Sequence, residues 1–156
     1  MVSHFKREVS AIAEQYPDPT SAVMPALRLA QEQHEGWLPP EALREVAAAL
    51  DLTPGYVKGV ATFYDMFHLE PVGRRLVEVC TNICCGLRGA QGVLDAFESE
   101  LGVAPGETTP DGAFTLRAVE CIGGCDRPTV VAIDDRHRFN VSAADVPQIV
   151  RELRDE

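Results

Sequence analysis

The five cysteines of this 156-residue chain fall into two short groups, and both groups lie in its second half. The first reads Cys80-Thr-Asn-Ile-Cys84-Cys85 and the second reads Cys121-Ile-Gly-Gly-Cys125. An odd number of cysteines leaves one thiol outside any disulfide framework. The amino terminus lacks the apolar core of a secretory signal, so we expect a reducing compartment. Two close groups of thiols therefore predict metal ligands.

Four thiolates at such a site suit either an iron–sulfur cluster or a tetrahedral zinc ion. Zinc ribbons usually separate paired cysteines by two residues, whereas the gaps in this chain are four and three residues long. Iron–sulfur loops favour small residues because backbone amides approach the sulfurs closely. Three glycines meet that demand, namely Gly86, Gly123 and Gly124. The pattern favours an iron–sulfur cluster, and a zinc-stabilised interaction module is the alternative.

Cys84 and Cys85 are consecutive, so their side chains do not easily reach one iron together and one of the two thiols is spare. The spacing alone allows either Cys84 or Cys85 to be the ligand. The four histidines show no metal-ligand spacing, and we expect surface or packing roles for them: His4, His34, His68 and His137.

Each cysteine group follows a predicted strand, the first at residues 76–80 and the second at residues 114–120. Loops that leave one end of a sheet can face each other across a few ångströms, so we expect the two groups to meet. Further short strands are predicted at residues 129–133 and 137–141, joined by a turn at Asp134-Asp135. The second half therefore predicts a mixed α/β unit.

Two helices are predicted to cover this sheet. The first has the apolar face Leu87, Ala90, Leu94, Phe97 and Leu101, and it ends before Gly102. The second begins at Ser142, which with Asp145 forms a capping-box-like start, and its apolar face is Val146, Ile149, Val150 and Leu153.

The first half of the chain predicts helices. One follows the repeat Val23, Leu27, Ala30 and His34 and ends near Gly36, and a second follows Pro39-Pro40. A third begins at Thr53-Pro54 and carries an aromatic stripe, Tyr56, Val60, Phe63, Tyr64 and Phe67. Such a stripe more often packs in a core than docks onto a partner, so we predict core packing, with contact to a partner subunit as the alternative.

Composition excludes several classes of function. The formal net charge is −10 and no cluster of lysines and arginines occurs, so we expect no nucleic-acid partner. No apolar run reaches the ~18 residues that a spanning helix needs, so we expect no direct membrane insertion. Nucleotide-binding loops and a nucleophile elbow are also absent, which predicts a chain with no substrate site of its own.

Several motifs together resemble a known family, the thioredoxin-like [2Fe–2S] ferredoxin subunit in the NADH-input module of bacterial complex I, the NADH:quinone oxidoreductase. The motifs are Gly36-Trp37-Leu38, residues 59–64 (GVATFY), Pro71-Val72-Gly73, residues 87–90 (LRGA), residues 109–112 (TPDG), and both cysteine groups. They are far more specific than the cysteine spacing, and the resemblance runs through most of the chain.

The resemblance implies an α/β (α+β) fold, with an N-terminal helical bundle at residues 1–70 and a thioredoxin-like [2Fe–2S] ferredoxin domain at residues 71–156. The family ligands follow C-x4-C and C-x3-C, which implies that Cys80, Cys85, Cys121 and Cys125 hold one [2Fe–2S] cluster and that Cys84 is spare. The family usually has proline four residues after the last cysteine, whereas this chain has Thr129 there, so a cis-proline at that position is in question.

The resemblance also implies the role. NADH gives a hydride to FMN in a neighbouring flavoprotein subunit, and the cluster exchanges single electrons with that flavin. We therefore expect a non-catalytic electron carrier of an NADH:quinone oxidoreductase, cytoplasmic and peripheral to the inner membrane through the complex. The close alternative is the equivalent diaphorase subunit of an NAD-linked hydrogenase or formate dehydrogenase.

Overall fold

The computed structural model describes residues 4–155, and the chain divides into two compact units. The first unit ends at Pro71 and the second begins at Val72. Within the described residues, no helix combines the length and the apolar character that crossing a membrane requires.

From residue 4 onward, where the structure describes it, the first unit is a bundle of four helices. They are α1 (His4–Ala13), α2 (Val23–Gln33), α3 (Pro40–Leu50) and α4 (Pro54–Phe63), with a 3₁₀ turn at Pro19–Ala22 before α2. The three helices predicted from periodicity are confirmed, and α1 is an addition to them. Proline begins both α3 and α4, where its missing N–H costs no hydrogen bond, and the Thr53 hydroxyl caps α4 by accepting a hydrogen bond from Tyr56 N–H.

The aromatic stripe of α4 packs in the core only at Val60 and Phe67, so the prediction of core packing is wrong for its three other residues. The helix buries Val57 and Ala61 instead, and it ends at Phe63, after which Tyr64 adopts an extended backbone. Phe63 is 79% exposed, and Tyr56 and Tyr64 are also exposed; of the five stripe residues only Phe67 is buried. Helix α4 thus packs against the bundle through small side chains, and its large rings are exposed.

A four-stranded sheet forms the centre of the second unit. Its strands are β1 (Arg75–Cys80), β2 (Phe114–Val119), β3 (Val131–Ile133) and β4 (Arg136–Arg138), arranged in the order β2-β1-β3-β4. β1 and β2 are parallel, whereas β3 is antiparallel to both β1 and β4. The last two strands are shorter than predicted, because residues 129–130 and 139–141 lie outside the ladder.

Three helices accompany the sheet: α5 (Ile83–Leu87), α6 (Ala90–Leu101) and α7 (Val146–Asp155). All four predicted apolar residues of α7 are buried, and the predicted capping box joins Ser142 and Asp145 at the start of the preceding 3₁₀ turn. The predicted face of α6 is buried except for Leu87, which belongs to α5 and is 83% exposed. Gly89, in a left-handed conformation, breaks the helix between the two segments.

The strand–helix mixture and the helical bundle confirm the predicted α+β fold class. Near the second cysteine group, the peptide bond that links Pro128 to Thr129 is cis. Thr129 is buried, and its hydroxyl donates a hydrogen bond to the carbonyl of Val141.

Candidate metal centre

The parallel pairing of β1 and β2 brings the two cysteine groups to one edge of the sheet. Cys80 is the last residue of β1 and pairs with Val119, the last residue of β2, and Cys121 follows two residues later. Thr81 N–H donates a hydrogen bond to the Val119 carbonyl at 2.9 Å, and the Cys80 thiol lies 3.7 Å from the carbonyl oxygen of Glu120. Both chain segments therefore leave the sheet side by side.

The first group continues into a short helix rather than a loop. The Asn82 side chain accepts a hydrogen bond from Ile83 N–H at 2.8 Å and starts α5, which carries Cys84 and Cys85. Cys80 and Cys85 are buried, whereas Cys84 is half-buried. The two adjacent cysteines thus occupy different environments, a distinction that spacing alone leaves open.

The second group forms an exposed loop, Cys121 to Cys125. Each of its two glycines is needed for a different physical reason. Gly123 has a φ of 88°, which L side chains rarely adopt. At Gly124 a Cβ atom would lie 2.7 Å from the ring of Phe139 and 2.8 Å from a methyl group of Val130. The loop needs glycine for its turn and for its close packing.

Cys80 and Cys85 lie in the same buried cluster of side chains. Burial raises the pKa of the Cys85 thiol, a hydrogen bond from the Val130 backbone opposes that rise, and the neighbouring Cys80 and Cys125 raise the pKa further. A metal ion requires thiolates as ligands, so binding at this pair must displace protons.

The thiol of Cys125 connects the second group to the first. The charges of Cys121 and Cys84 raise the pKa of Cys125, and burial and hydrogen bonds with both thiols act in the same direction. Cys125 therefore lies within interaction range of Cys85, Cys84 and Cys121. The parallel strands therefore bring the two cysteine groups, which contain the four predicted ligands, to the same end of the sheet.

A small apolar cluster lies beneath the thiols. It contains Cys80, Cys85, Ala90 and Val130, and Ile122 and Phe139 pack against it. The guanidinium of Arg127 lies over the Phe139 ring, 3.7 Å from its centroid. This cluster packs Cys80 and Cys85 into the base of the site.

Two large apolar side chains beside the thiols stay in solvent. Ile83 is 73% exposed and Leu87 is 83% exposed, and both lie on α5 with Cys84 and Cys85. Sequence reasoning did not single out their exposure, because Leu87 continues the apolar period of α6. The available signal was Asn82, a helix-capping residue directly before Ile83.

The histidines take the surface and packing roles expected of them. His4 lies 2.9 Å from the Glu8 carboxylate and His34 lies 3.9 Å from Glu45. The His137 ring packs edge-on against Phe139.

The donor set fits an iron–sulfur cluster. In residues 4–155, no three His, Cys, Asp or Glu side chains are arranged to hold one metal ion. A [2Fe–2S] cluster takes four cysteines shared between two irons, and thiolates are the soft ligands that such clusters use. The two cysteine groups contain enough thiols for such a set.

Comparison with known proteins gives concordant matches. The model of the thioredoxin-like [2Fe–2S] ferredoxin family matches residues 9–154. An NADH-quinone oxidoreductase subunit of Rhizobium meliloti is 44% identical over 149 residues, which cover 96% of this chain and 88% of the relative. The corresponding NADH-quinone oxidoreductase subunit of Escherichia coli is 35% identical over 139 residues, covering 89% of this chain and 83% of the relative.

A solved structure shares the fold. An NAD+-reducing [NiFe]-hydrogenase superposes with a TM-score of 0.72 at 22% identity. The match covers 83% of this chain but only 23% of the hydrogenase chain, so it concerns the fold of one segment of a larger protein.

Proposed function

The chain belongs to the thioredoxin-like [2Fe–2S] ferredoxin family, and from that premise we propose that it is the electron-carrying ferredoxin subunit of an NADH-quinone oxidoreductase. The family membership assigns it a [2Fe–2S] cluster. The observation that carries the proposal is the convergence of both cysteine groups at the carboxyl ends of β1 and β2.

We propose Cys80 and Cys85 as one ligand pair and Cys121 and Cys125 as the other. When bound, the cluster accepts and releases one electron at a time. The chain's own part is to hold the four thiolates on a packed base and to keep one pair buried while the other faces solvent. In this role the chain is a carrier with no substrate site, and NADH and FMN bind the partner flavoprotein subunit.

Single substitutions of cysteine by serine test the ligand set. Iron and acid-labile sulfide are measured on the anaerobically purified full chain. We expect both to be lost in four variants and kept in the fifth, Cys84→Ser; the four are Cys80→Ser, Cys85→Ser, Cys121→Ser and Cys125→Ser. A colourless wild-type protein that contains zinc would refute the cluster, and loss in Cys84→Ser with retention in Cys85→Ser would refute the ligand set.

The exposed side chains Ile83 and Leu87 support docking of a partner at the cluster edge. Large apolar side chains that stay in solvent beside a site are typical of a protein interface. Contact there would remove water from the site and bring the partner's flavin close to the exposed pair, Cys121 and Cys125. We therefore propose that this edge faces the flavoprotein subunit.

The exposed rings of α4 support a second contact in the first unit. Tyr56 and Phe63 lie seven positions apart, so they share one helix face. Between them lies Gly59, where an added Cβ would meet no other atom within 4 Å. A face with two rings and an open glycine allows another backbone to approach closely, and we propose that it also contacts the flavoprotein subunit.

Leu87→Ser and Phe63→Ser test these contacts. With purified flavoprotein subunit, we expect each to weaken binding by about tenfold or more, since losing a buried large apolar side chain costs about 1.5–3 kcal/mol. Tyr16→Ser is the matched control, because Tyr16 is 40% exposed and lies outside both faces. Equal affinities for all three variants and wild type would refute both faces.

In this proposal the chain reaches the cytoplasmic side of the inner membrane only through the other subunits. The same carrier role in an NAD-linked hydrogenase is the competing assignment, and the hydrogenase match shows the fold alone. Affinity purification of the tagged chain from its own cells separates the two. Quinone-reductase subunits in the purified complex would support the proposal, and hydrogenase subunits would overturn it.

A further inference from the structure

A cavity of about 370 Å³ lies in the second unit, at the end of the sheet away from the thiols. Strand β1 begins at Arg75, which lines the cavity, and ends at Cys80. At the usual rise of a strand these two residues are roughly 16 Å apart. The cavity is therefore separate from the proposed cluster.

Two sequence motifs that the cluster does not use build this end of the sheet, the one that ends at Gly73 and the one at residues 109–112. Gly73 N–H donates a hydrogen bond to the Thr115 hydroxyl at 2.7 Å, and Arg74 N–H donates one to the Gly112 carbonyl at 3.0 Å. A Cβ atom at Gly73 would lie 2.6 Å from the backbone of Phe114, so the close approach of the two segments requires glycine. The backbone thus fixes where Arg74 leaves it.

The charge of the cavity is opposite to that of the chain. Three arginines line it, Arg74, Arg75 and Arg154, against the single carboxylate of Asp111, in a chain of net charge −10. Arg75 lies 2.8 Å from the carboxylate of Asp134. Within residues 4–155, however, no carboxylate lies at ion-pair distance from Arg74 or Arg154. Two exposed guanidinium groups therefore remain available to an anion.

Asp111 is held by its own turn rather than by an arginine. Its carboxylate accepts hydrogen bonds from the Thr109 hydroxyl at 2.5 Å and from Ala113 N–H at 3.0 Å. These bonds lower the pKa of Asp111, and the charge of Arg154 acts in the same direction. The Arg154 guanidinium lies over the buried ring of Phe114, 5.4 Å from its centroid. An aromatic ring, not an ion pair, thus places Arg154 at the cavity.

We propose that this cavity binds a phosphate group of a small molecule, and that Arg74 and Arg154 are the residues that hold it. A guanidinium donates two parallel hydrogen bonds to an oxyanion. Phosphate has acceptor oxygens on several sides and can accept from two such groups at once, whereas a carboxylate presents two oxygens in one plane. The volume lies near the lower end of the about 300–1,000 Å³ that is usual for small-molecule sites, which favours a small ligand. The inference does not depend on the proposed ligand set of the cluster.

Calorimetric titration of pyrophosphate into the full chain with its cluster, at low ionic strength, tests the site. We expect Arg74→Gln and Arg154→Gln each to weaken binding by about tenfold, because each removes hydrogen bonds from a charged donor. Arg151→Gln is the matched control. It makes the same change of charge on the same helix, but Arg151 is exposed and does not line the cavity. Its affinity should equal that of the wild type.

A fourth variant, Asp111→Asn, should bind pyrophosphate more tightly than the wild type. It removes the one negative charge of the cavity and keeps an oxygen that accepts the hydrogen bonds of the turn. Iron content and visible absorption equal to those of the wild type verify that each variant is folded. A wild type that binds no pyrophosphate, or equal weakening in all three arginine variants, would overturn the site. Citrate, a carboxylate trianion, should bind more weakly, and equal affinity for citrate would overturn the assignment to phosphate.

Discussion

Gly124 lies in the loop between Cys121 and Cys125, and the structure leaves no room for a larger residue there. A Cβ atom would lie 2.8 Å from Val130, which is fully buried, and 2.7 Å from the Phe139 ring. That ring packs between the Arg127 guanidinium and the edge of His137, so it does not turn away freely. We expect Gly124→Ala to displace the loop of residues 121–125 from Val130 and Phe139.

The magnitude follows from two opposing terms. Inserting a methyl group into a packed site costs about 1–3 kcal/mol, whereas replacing glycine by alanine gains about 0.4–1 kcal/mol from the unfolded chain. The midpoints of these two ranges differ by about 1.3 kcal/mol, so Gly124→Ala should lower the free energy of unfolding of the second unit by about that amount. Movement of the loop should also lower the iron content, since Cys125 is the next residue.

The chain supplies a matched control and two separate probes. Gly92 lies within α6 with no atom within 4 Å of an added Cβ, so Gly92→Ala should stabilise the second unit by about 0.5–1 kcal/mol.

The unfolding of the two units in urea is followed with different probes. Trp37 fluorescence reports on the first unit, because the second unit contains no tryptophan or tyrosine. Visible absorption of the cluster reports on the second unit. A Gly124→Ala protein as stable as the wild type, with full iron, would refute the packing argument.

Three further predictions concern a cap, a carboxylate and a charge. Thr53→Ala should destabilise the first unit by about 1 kcal/mol, measured by Trp37 fluorescence in urea; an unchanged midpoint would refute the cap. Hydrogen bonds from the Ser142 hydroxyl and backbone hold the pKa of Asp145 below its usual range. The Asp145 carboxylate therefore contributes fully to stability above its unfolded pKa of about 3.9, and this contribution is lost as the pH falls through the lower folded pKa. The difference in unfolding free energy between wild type and Asp145→Ala should shrink over that range, and a constant difference would contradict the assignment. Glu120→Gln should raise the midpoint potential of the cluster, because a nearby negative charge disfavours an added electron; a fixed potential would refute that effect.

The parts of the fold that sequence predicts well are those where one local signal decides the structure. The start of α4 needs only the Thr53 hydroxyl and the proline after it, and the Ser142–Asp145 box depends on residues three apart. The meeting of the cysteine groups was also foreseeable, because both follow strands. The parallel pairing that brings Cys80 opposite Val119 is a long-range property that the structure supplies.

The environments of Cys84 and Cys85 show what spacing leaves open. The two residues are adjacent in sequence, and the orientation of α5 buries the Cys85 thiol and leaves Cys84 half-exposed. That orientation depends on the Asn82 cap and on the packing of Cys85 with Val130 and Ala90. Such packing involves residues distant in sequence, so no local pattern reveals it.

The errors of the sequence reasoning have a common physical cause. Apolar periodicity predicted burial for Tyr56, Phe63 and Leu87, and the structure leaves all three exposed. Periodicity shows that a helix has an apolar face, but it does not show whether the surface that covers this face belongs to the same chain. For a subunit of a larger enzyme, part of that covering surface belongs to the partners. We therefore expect partners to bind at residues that periodicity predicts to be buried but that the structure shows exposed. Leu87 and Phe63 are two such residues, and for that reason they are the ones substituted in the binding test.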